Sequence, residues 1–237
     1  MKSRKSRGSS GHRWWVPGEF RALSKTTHCC NKLPAITKCV KGDISAAQAD
    51  DVDMCLDYMP PKGTDCVVYS FGIANLWGFD DTMADAGCRV HSFDPTAKTL
   101  NAHRAHDHAN VSFHYVGLRG KADDTSAQSH NNAATYYGPL GGTMMDLGEI
   151  MTKLNHGKID ILKIDCEGCE WDAFAHLANA KPHVLDALRV LIVEVHLSEE
   201  LMMKDEAALR KFISFYHEFV EIRGWRRPES CPMVRLL

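Results

Sequence analysis

The chain has 237 residues, 44% hydrophobic and 24% charged, with a formal net charge of −2. That length suits one α/β domain with a short extra segment, since single domains of the class run to about 200–250 residues. The composition is that of an ordinary globular protein. No apolar run of roughly 18 residues marks a membrane span, and the near-balanced charge gives no general basic surface for nucleic acid or a membrane.

Residues 1–28 read as a flexible basic leader. Their first eleven residues, MKSRKSRGSSG, are not followed by an apolar stretch, so no signal peptide is expected. A solvated tail is the plain reading, and a phosphate-binding or nuclear-targeting arm the sharper one. Residues 29–62 form a Cys-rich lead-in that closes on Met59-Pro60-Pro61-Lys62-Gly63, a boundary before the main domain at 63–237. The nine cysteines are Cys29, Cys30, Cys39, Cys55, Cys66, Cys88, Cys166, Cys169 and Cys231. An odd count leaves at least one thiol unpaired in a monomer, and spacing does not give the pairing. The CxxC…CxxC pattern of a structural zinc site is absent, and no metal site is expected.

From residue 66 strand and helix patterns alternate. Cys66–Phe71 is an apolar run of β-formers closed by Gly72. Leu76, Phe79, Met83 and Ala86 recur at helical spacing, and Gly87 stands where a helix ends. Cys88–Phe93 reads as the second strand and stops at Asp94-Pro95, where the acid can cap a helix and the proline fits its first turn. Val111, Phe113 and Tyr115 alternate with polar residues and predict a third strand. Residues 117–143 are polar and glycine-rich without an obvious element, a kind of stretch that often carries function. Asp146 and Glu149 make a capping-box start for a helix whose stripe is Leu147, Ile150, Met151 and Leu154, ended by Gly157. Ile159–Ile164 is a strand, followed by a turn and a helix carrying Trp171, Phe174 and Leu177. Val190–Val195 is the plainest buried strand, and Ser198, Glu199 and Glu200 open a helix with Leu209, Phe212, Ile213 and Tyr216 inside. Alternation of this kind implies a mostly parallel central sheet with helices on both faces, a Rossmann-like α/β fold. Ligands in such sheets lie beyond the carboxyl ends of the strands.

The residues at those ends carry the candidate chemistry. After the first strand comes Phe71-Gly72-Ile73-Ala74-Asn75, where a glycine lets the backbone approach a cofactor and the next helix start offers free N–H groups. Asp94 follows about twenty residues on, where an acid binds ribose hydroxyls in dinucleotide folds. Taken singly, a turn and a helix cap explain these two residues equally well; taken together at this spacing, they favour a cofactor site. Only one of the three glycines of GxGxxG is present, which argues against an NAD-dependent oxidoreductase. S-adenosylmethionine (SAM) has no pyrophosphate to cradle and needs fewer.

After Ile164 stand Asp165, Glu167 and Glu170 within six residues. Partly buried acids need a reason: they can hold substrate, accept a proton from an attacking hydroxyl or bind a cation. Capping the following helix is the plain alternative. Cys166 and Cys169 have the spacing of a redox CxxC, and their neighbours add nothing beyond that spacing. His196 follows the Val190–Val195 strand, with Glu194 on the same face, and is a candidate for the same cleft beside its plain reading as a structural histidine. His103, His106 and His108 read as a solvated helix face, with metal binding the lesser alternative. His130, near Asn131 and Asn132, lies in the long polar stretch.

Residues 67–75 (VVYSFGIAN), 90–95 (VHSFDP) and 161–171 (ILKIDCEGCEW) resemble the FkbM-type SAM-dependent methyltransferase superfamily. Within it the chain is most similar to the animal methyltransferase-like branch typified by methyltransferase-like protein 24. The similarity covers roughly residues 55–200, the Cys-rich lead-in is also typical of the branch, and K-I-D-x-E-G-x-E is the most specific piece. The resemblance implies SAM as cofactor and methyl transfer to oxygen. It implies that Phe71, Gly72, Ala74 and Asn75 line SAM, that Asp94 binds its ribose, and that Asp165 and Glu167 sit at the reaction cleft. Two departures stand out. Tyr69-Ser70 replaces an acid that many methyltransferases carry there, and the short C-terminus leaves room only for a small last hairpin, over 219–223 and 233–237. The expected partner is a small-molecule or glycan-like acceptor, not nucleic acid. The other reading is a binding module that keeps the fold and has lost catalysis. Animal relatives often look secretory or membrane-anchored, and no such segment is legible in this sequence.

Overall fold

In the computed structural model, which describes residues 59–120, 138–195 and 234–236, strands and helices alternate along the chain. They are β1 (Val67–Phe71), α1 (Gly78–Asp85), β2 (Arg89–Phe93), α2 (Leu100–Ala105), β3 (Val111–His114), β4 (Val116–Leu118), β5 (Thr143–Met145), α3 (Leu147–Leu154), β6 (Ile159–Ile164), α4 (Cys169–Ala180), α5 (Pro182–Asp186), β7 (Leu188–Val195) and β8 (Val234–Leu236). Six strands pair in the order β3-β2-β1-β6-β7-β8, every neighbour parallel. Strands β4 and β5 form a separate parallel pair. The chain lays β1, β2 and β3 outward in one direction, then returns to set β6 on the other side of β1. The carboxyl ends of β1 and β6 therefore flank a topological switch point, where a crevice opens.

Both faces of the sheet are covered, so its central strands are apolar throughout rather than alternating. All five residues of β1 and all six of β6 are buried. Val67, Tyr69 and Phe71 pack into one core with Leu147 and Ile150 of α3, Phe174 and Leu177 of α4, and Leu185 of α5. Val68 faces the opposite core with Phe79 and Met83 of α1, Val90, Ile161 and Val190. Each such fully buried side chain contributes about 1.5–3 kcal/mol.

The amino ends of these strands are cross-linked. A disulfide joins Cys66, before β1, to Cys88, before β2. Arg89 pairs with Asp65 at 2.8 Å, and Lys158 donates to the Asp65 carbonyl at 2.6 Å and to Asp160 Oδ2 at 2.9 Å. Asp160, only 4% exposed, accepts the Val67 N–H at 2.9 Å.

The capping box of α3 is present: Asp146 Oδ1 accepts the Glu149 N–H at 3.0 Å, and Glu149 Oε2 accepts the Asp146 N–H at 2.8 Å. Other expectations shift. Helix α3 ends at Asn155 in left-handed conformation (φ 56°), two residues before Gly157. Asp94-Pro95 does not start a helix, since α2 begins at Leu100 after Thr99. Leu76 precedes α1 and Ala86 caps it, both outside the helix. The third strand stops at His114, and the stretch from 117, expected to lack an element, contributes β4 residues Gly117 and Leu118 and the first residue of β5. His103 is not on a solvated face: it is fully buried between Trp77 and Phe113, and neither ring nitrogen has a hydrogen-bond partner among the described residues. His106 stacks on Trp77 at 3.8 Å between ring centroids and bonds Asp81 at 2.8 Å. Strand β8 lies within the second arm of the expected hairpin and pairs in parallel with β7. Its proposed other arm, 219–223, and the helix expected from Ser198 fall outside the described residues. Among the described residues no helix is long and apolar enough to cross a membrane.

Candidate active site

Beyond the switch point lies a cleft with about 640 Å³ of space between atoms, its open mouth included. Phe71 and Phe93, stacked at 4.5 Å, lie at its base, and Leu118, Leu140 and Met144 add apolar wall from the β4–β5 side. A Cβ on Gly117 would come within 2.8 Å of Pro95 Cγ and 2.5 Å of Met144 Sδ, so this wall packs tightly against the turn after β2.

Gly72 holds φ 75°, and a Cβ there would overlap the Asp165 carbonyl. The glycine's first purpose is therefore internal: it lets the loop after β1 lie directly on the loop after β6. The same two ends are tied by the Asp165 N–H donating to the Phe71 carbonyl at 3.1 Å, and the Gly72 N–H, donating to the Phe93 carbonyl at 3.0 Å, ties the end of β1 to that of β2. Ala74 and Asn75 then adopt left-handed conformations (φ 44° and 65°).

Asp94 is 3% exposed and lines the cleft. One carboxylate oxygen accepts the Ala74 N–H at 2.9 Å and the other accepts the Thr96 N–H at 2.8 Å. Each oxygen keeps a second lone pair, so the group can accept further hydroxyl protons while it fixes both loops.

Behind the loops runs a polar row. Ser92, Ser70 and Lys163 are register neighbours across β2, β1 and β6. Asp80 of α1, fully buried, accepts the Ser70 hydroxyl at 3.1 Å and also the Ser92 hydroxyl. Tyr69 points the other way, into the apolar core, where its hydroxyl bonds His156 Nδ1 at 2.7 Å. Lys163, 2% exposed, holds its Nζ 4.0 Å from Asp165 Oδ2.

The turn after β6 is closed covalently. Cys166 and Cys169 form a disulfide, which spacing alone gave little reason to expect. Inside that ring Glu167 (φ 58°) and Gly168 (φ 111°) are both left-handed. Glu170, 2% exposed, accepts the Gly168 N–H at 3.0 Å, and its Oε2 lies 3.4 Å from Cys166 Sγ. In this geometry the two sulfurs, tied to each other, and a Glu170 oxygen lie within 4.8 Å of one another.

Of the residues singled out from sequence, Phe71, Gly72, Ala74, Asp94, Asp165 and Glu167 all line this one cleft. Asn75 does not: it is exposed, and its side-chain oxygen accepts from Trp77 Nε1 at 3.2 Å. His196 lies outside the described residues. Sequence reasoning missed Asp80, whose signal was two hydroxyls, Ser70 and Ser92, at matching places in otherwise apolar strands. It also missed the wall from Leu118 and Met144, whose strands are only three residues long.

A family model described as a methyltransferase domain matches residues 26–225. The chain belongs to that methyltransferase family. The matched span takes in the whole Cys-rich lead-in at 29–62 and every strand of the sheet but β8. The chain is also 31% identical over 168 residues to the human "Probable methyltransferase-like protein 24", covering 66% of this chain and 40% of that protein. The rat protein of the same name is 32% identical over 139 residues, covering 56% and 33%. The chain thus spans well under half the length of these relatives. The methyltransferase-like branch is supported by these comparisons, while the wider FkbM label rests on the three sequence motifs. The fold is the Rossmann-like fold of methyltransferases, with the cleft at its switch point.

Proposed function

We propose that the chain is a SAM-dependent methyltransferase that methylates an oxygen of a small-molecule or glycan-like acceptor. The observation that carries this reading is the convergence of the loops after β1, β2 and β6 on one cleft, with a buried carboxylate on one wall and two acids on the other. Several features fit the cofactor. The apolar faces of Phe71, Phe93, Leu118 and Met144 suit an adenine ring, and the free lone pairs of Asp94 suit ribose hydroxyls. When bound, SAM supplies a methyl group already activated on a sulfonium.

The chain's own task is then to align and deprotonate. Asp94 fixes the two loops that would orient the donor. The turn at 165–170 holds the acceptor oxygen in line, where positioning alone lowers the barrier substantially. Glu167, or Asp165 beside it, accepts the acceptor's hydroxyl proton as the oxygen attacks, a contribution of about 10²–10⁴ in rate. Lys163 close behind Asp165 keeps that carboxylate oriented.

Thermal-shift and calorimetric titration with SAM and its demethylated product S-adenosylhomocysteine (SAH) tests the cofactor. Saturable stabilisation by both is expected, weakened about 100-fold in Asp94→Ala. The catalytic part is tested by transfer of labelled methyl from SAM to a panel of hydroxyl and carboxyl acceptors. Glu167→Gln should lower kcat about 100-fold or more at unchanged SAM affinity. Full turnover in that variant would pass the base role to Asp165. A well-folded chain that binds neither SAM nor SAH would instead be a binding module that keeps the fold.

A further inference from the structure

We propose that Cys166 and Cys169 are a redox-modification site, a reversible disulfide that sets the conformation of the turn carrying Glu167 and thereby the affinity of the cleft for its ligand. The effect on the cleft rests on the SAM reading above; the redox step does not.

The two disulfides among the described residues differ in placement. Cys66 and Cys88 are 6% and 1% exposed and lie in an apolar cluster at the amino ends of the strands. Cys166 is half-buried and Cys169 is 2% exposed, and both residues line the cleft at the carboxyl ends. A thiol reagent that enters the cleft therefore reaches the second bridge and not the first. The ring closed by that bridge holds two successive left-handed residues, Glu167 and Gly168. A glutamate keeps that conformation only where its surroundings over-determine it. Here the constraints are the S–S bond and Glu170, which binds the Gly168 N–H.

The exchange balances simply. A thiolate of an incoming dithiol attacks Cys166 Sγ, the more exposed sulfur. The S–S bond breaks, and its electron pair leaves on Cys169. That residue is the first of the twelve in α4, where the positive end of the helix dipole favours a thiolate. The reductant's second thiolate then attacks the mixed disulfide and releases Cys166. The chain gains two electrons and two protons, and the dithiol becomes a disulfide. Without the bond, the sulfurs relax to van der Waals contact and Glu167 leaves its left-handed conformation.

The test uses the whole chain in dithiothreitol buffers of stepped ratio of reduced to oxidised form, with a chelator present to keep thiophilic cations off the reduced donor set. Alkylation and peptide mass analysis report each disulfide, hydrogen exchange reports the 165–169 amides, and SAH titration reports the cleft. Reduction of Cys166–Cys169 is expected at a ratio that leaves Cys66–Cys88 oxidised. Exchange in the turn should rise about tenfold and return on reoxidation, and SAH affinity should fall about tenfold. Cys166→Ser/Cys169→Ser should match the reduced form and ignore the buffer. Reduction that comes only with global unfolding, or leaves the turn's exchange unchanged, overturns the site. Changed exchange with unchanged SAH affinity overturns the control of the cleft. Absence of SAH binding in both forms overturns the cofactor reading and the control with it, while exchange still decides the redox site.

Discussion

Ala74 carries a side chain where the backbone is left-handed, at φ 44°, a conformation that costs an L-residue about 1–2 kcal/mol. Its N–H is aimed at Asp94 by that conformation, so strain and site geometry are linked. Ala74→Gly should raise stability by about 0.5–1 kcal/mol, part of the relief being offset by the freer unfolded chain. Calorimetry should show a higher Tm with SAH binding intact, and a lower Tm would mean that the alanine methyl is wanted there. Asp80 is the opposite case. Asp80→Ala strands two buried hydroxyls and should cost about 2–3 kcal/mol, read from the urea midpoint. The sequence made Gly72, Asp94, Asp165 and Glu167 legible because strand ends are where α/β chemistry collects. Asp80 was illegible because an acid beside Phe79 on a short amphipathic helix looks like part of its wet side. Only the partners, Ser70 and Ser92, betray it.

Among the elements, α3 was readable because a capping box is local: donor and acceptor are three residues apart. The start of α2 was misread because Asp94 is claimed from elsewhere, by the Ala74 N–H twenty residues back in the chain. The β2–β3 pair holds a chemistry that no periodicity announces. His91 Nδ1 lies 3.0 Å from His114 Nε2, His114 stacks on Phe93, and the His156 ring stands against His91. Burial first, then the charges of His114, His156 and Arg89, push His91 down to about 4. Burial, then Lys153 and His156, push His114 down to about 4 as well. Both histidines titrate near 6.5 when unfolded, so the unfolded chain takes up protons first. Their contribution is complete above pH 6.5 and is lost progressively as pH falls toward 4. Urea midpoints measured from pH 7 to 4.5 should fall steeply, and His114→Phe, which keeps the stack on Phe93, should flatten that slope. An unchanged slope would exclude the pair as its source.

At the scale of the molecule, the alternation of apolar runs and helical stripes was enough for a parallel sheet covered on both faces. It did not reveal the β4–β5 pair, because three-residue strands carry too little pattern, nor which cysteines meet. The Cys66–Cys88 bridge closes a loop of 22 residues, which by loop entropy is worth about 3 kcal/mol. Cys66→Ala/Cys88→Ala should lower the denaturation free energy by about that much while SAH affinity stays within twofold. A comparable loss of affinity would show that the two ends of the sheet are coupled.

That bridge, together with Asp65–Arg89 and Asp160 on Val67, uses no residue of the cleft. The ties at the amino ends of the strands and the loops at their carboxyl ends are therefore specified by separate sets of positions. Substitutions in the exposed parts of the rim loops leave the fastening at the far end of the sheet untouched.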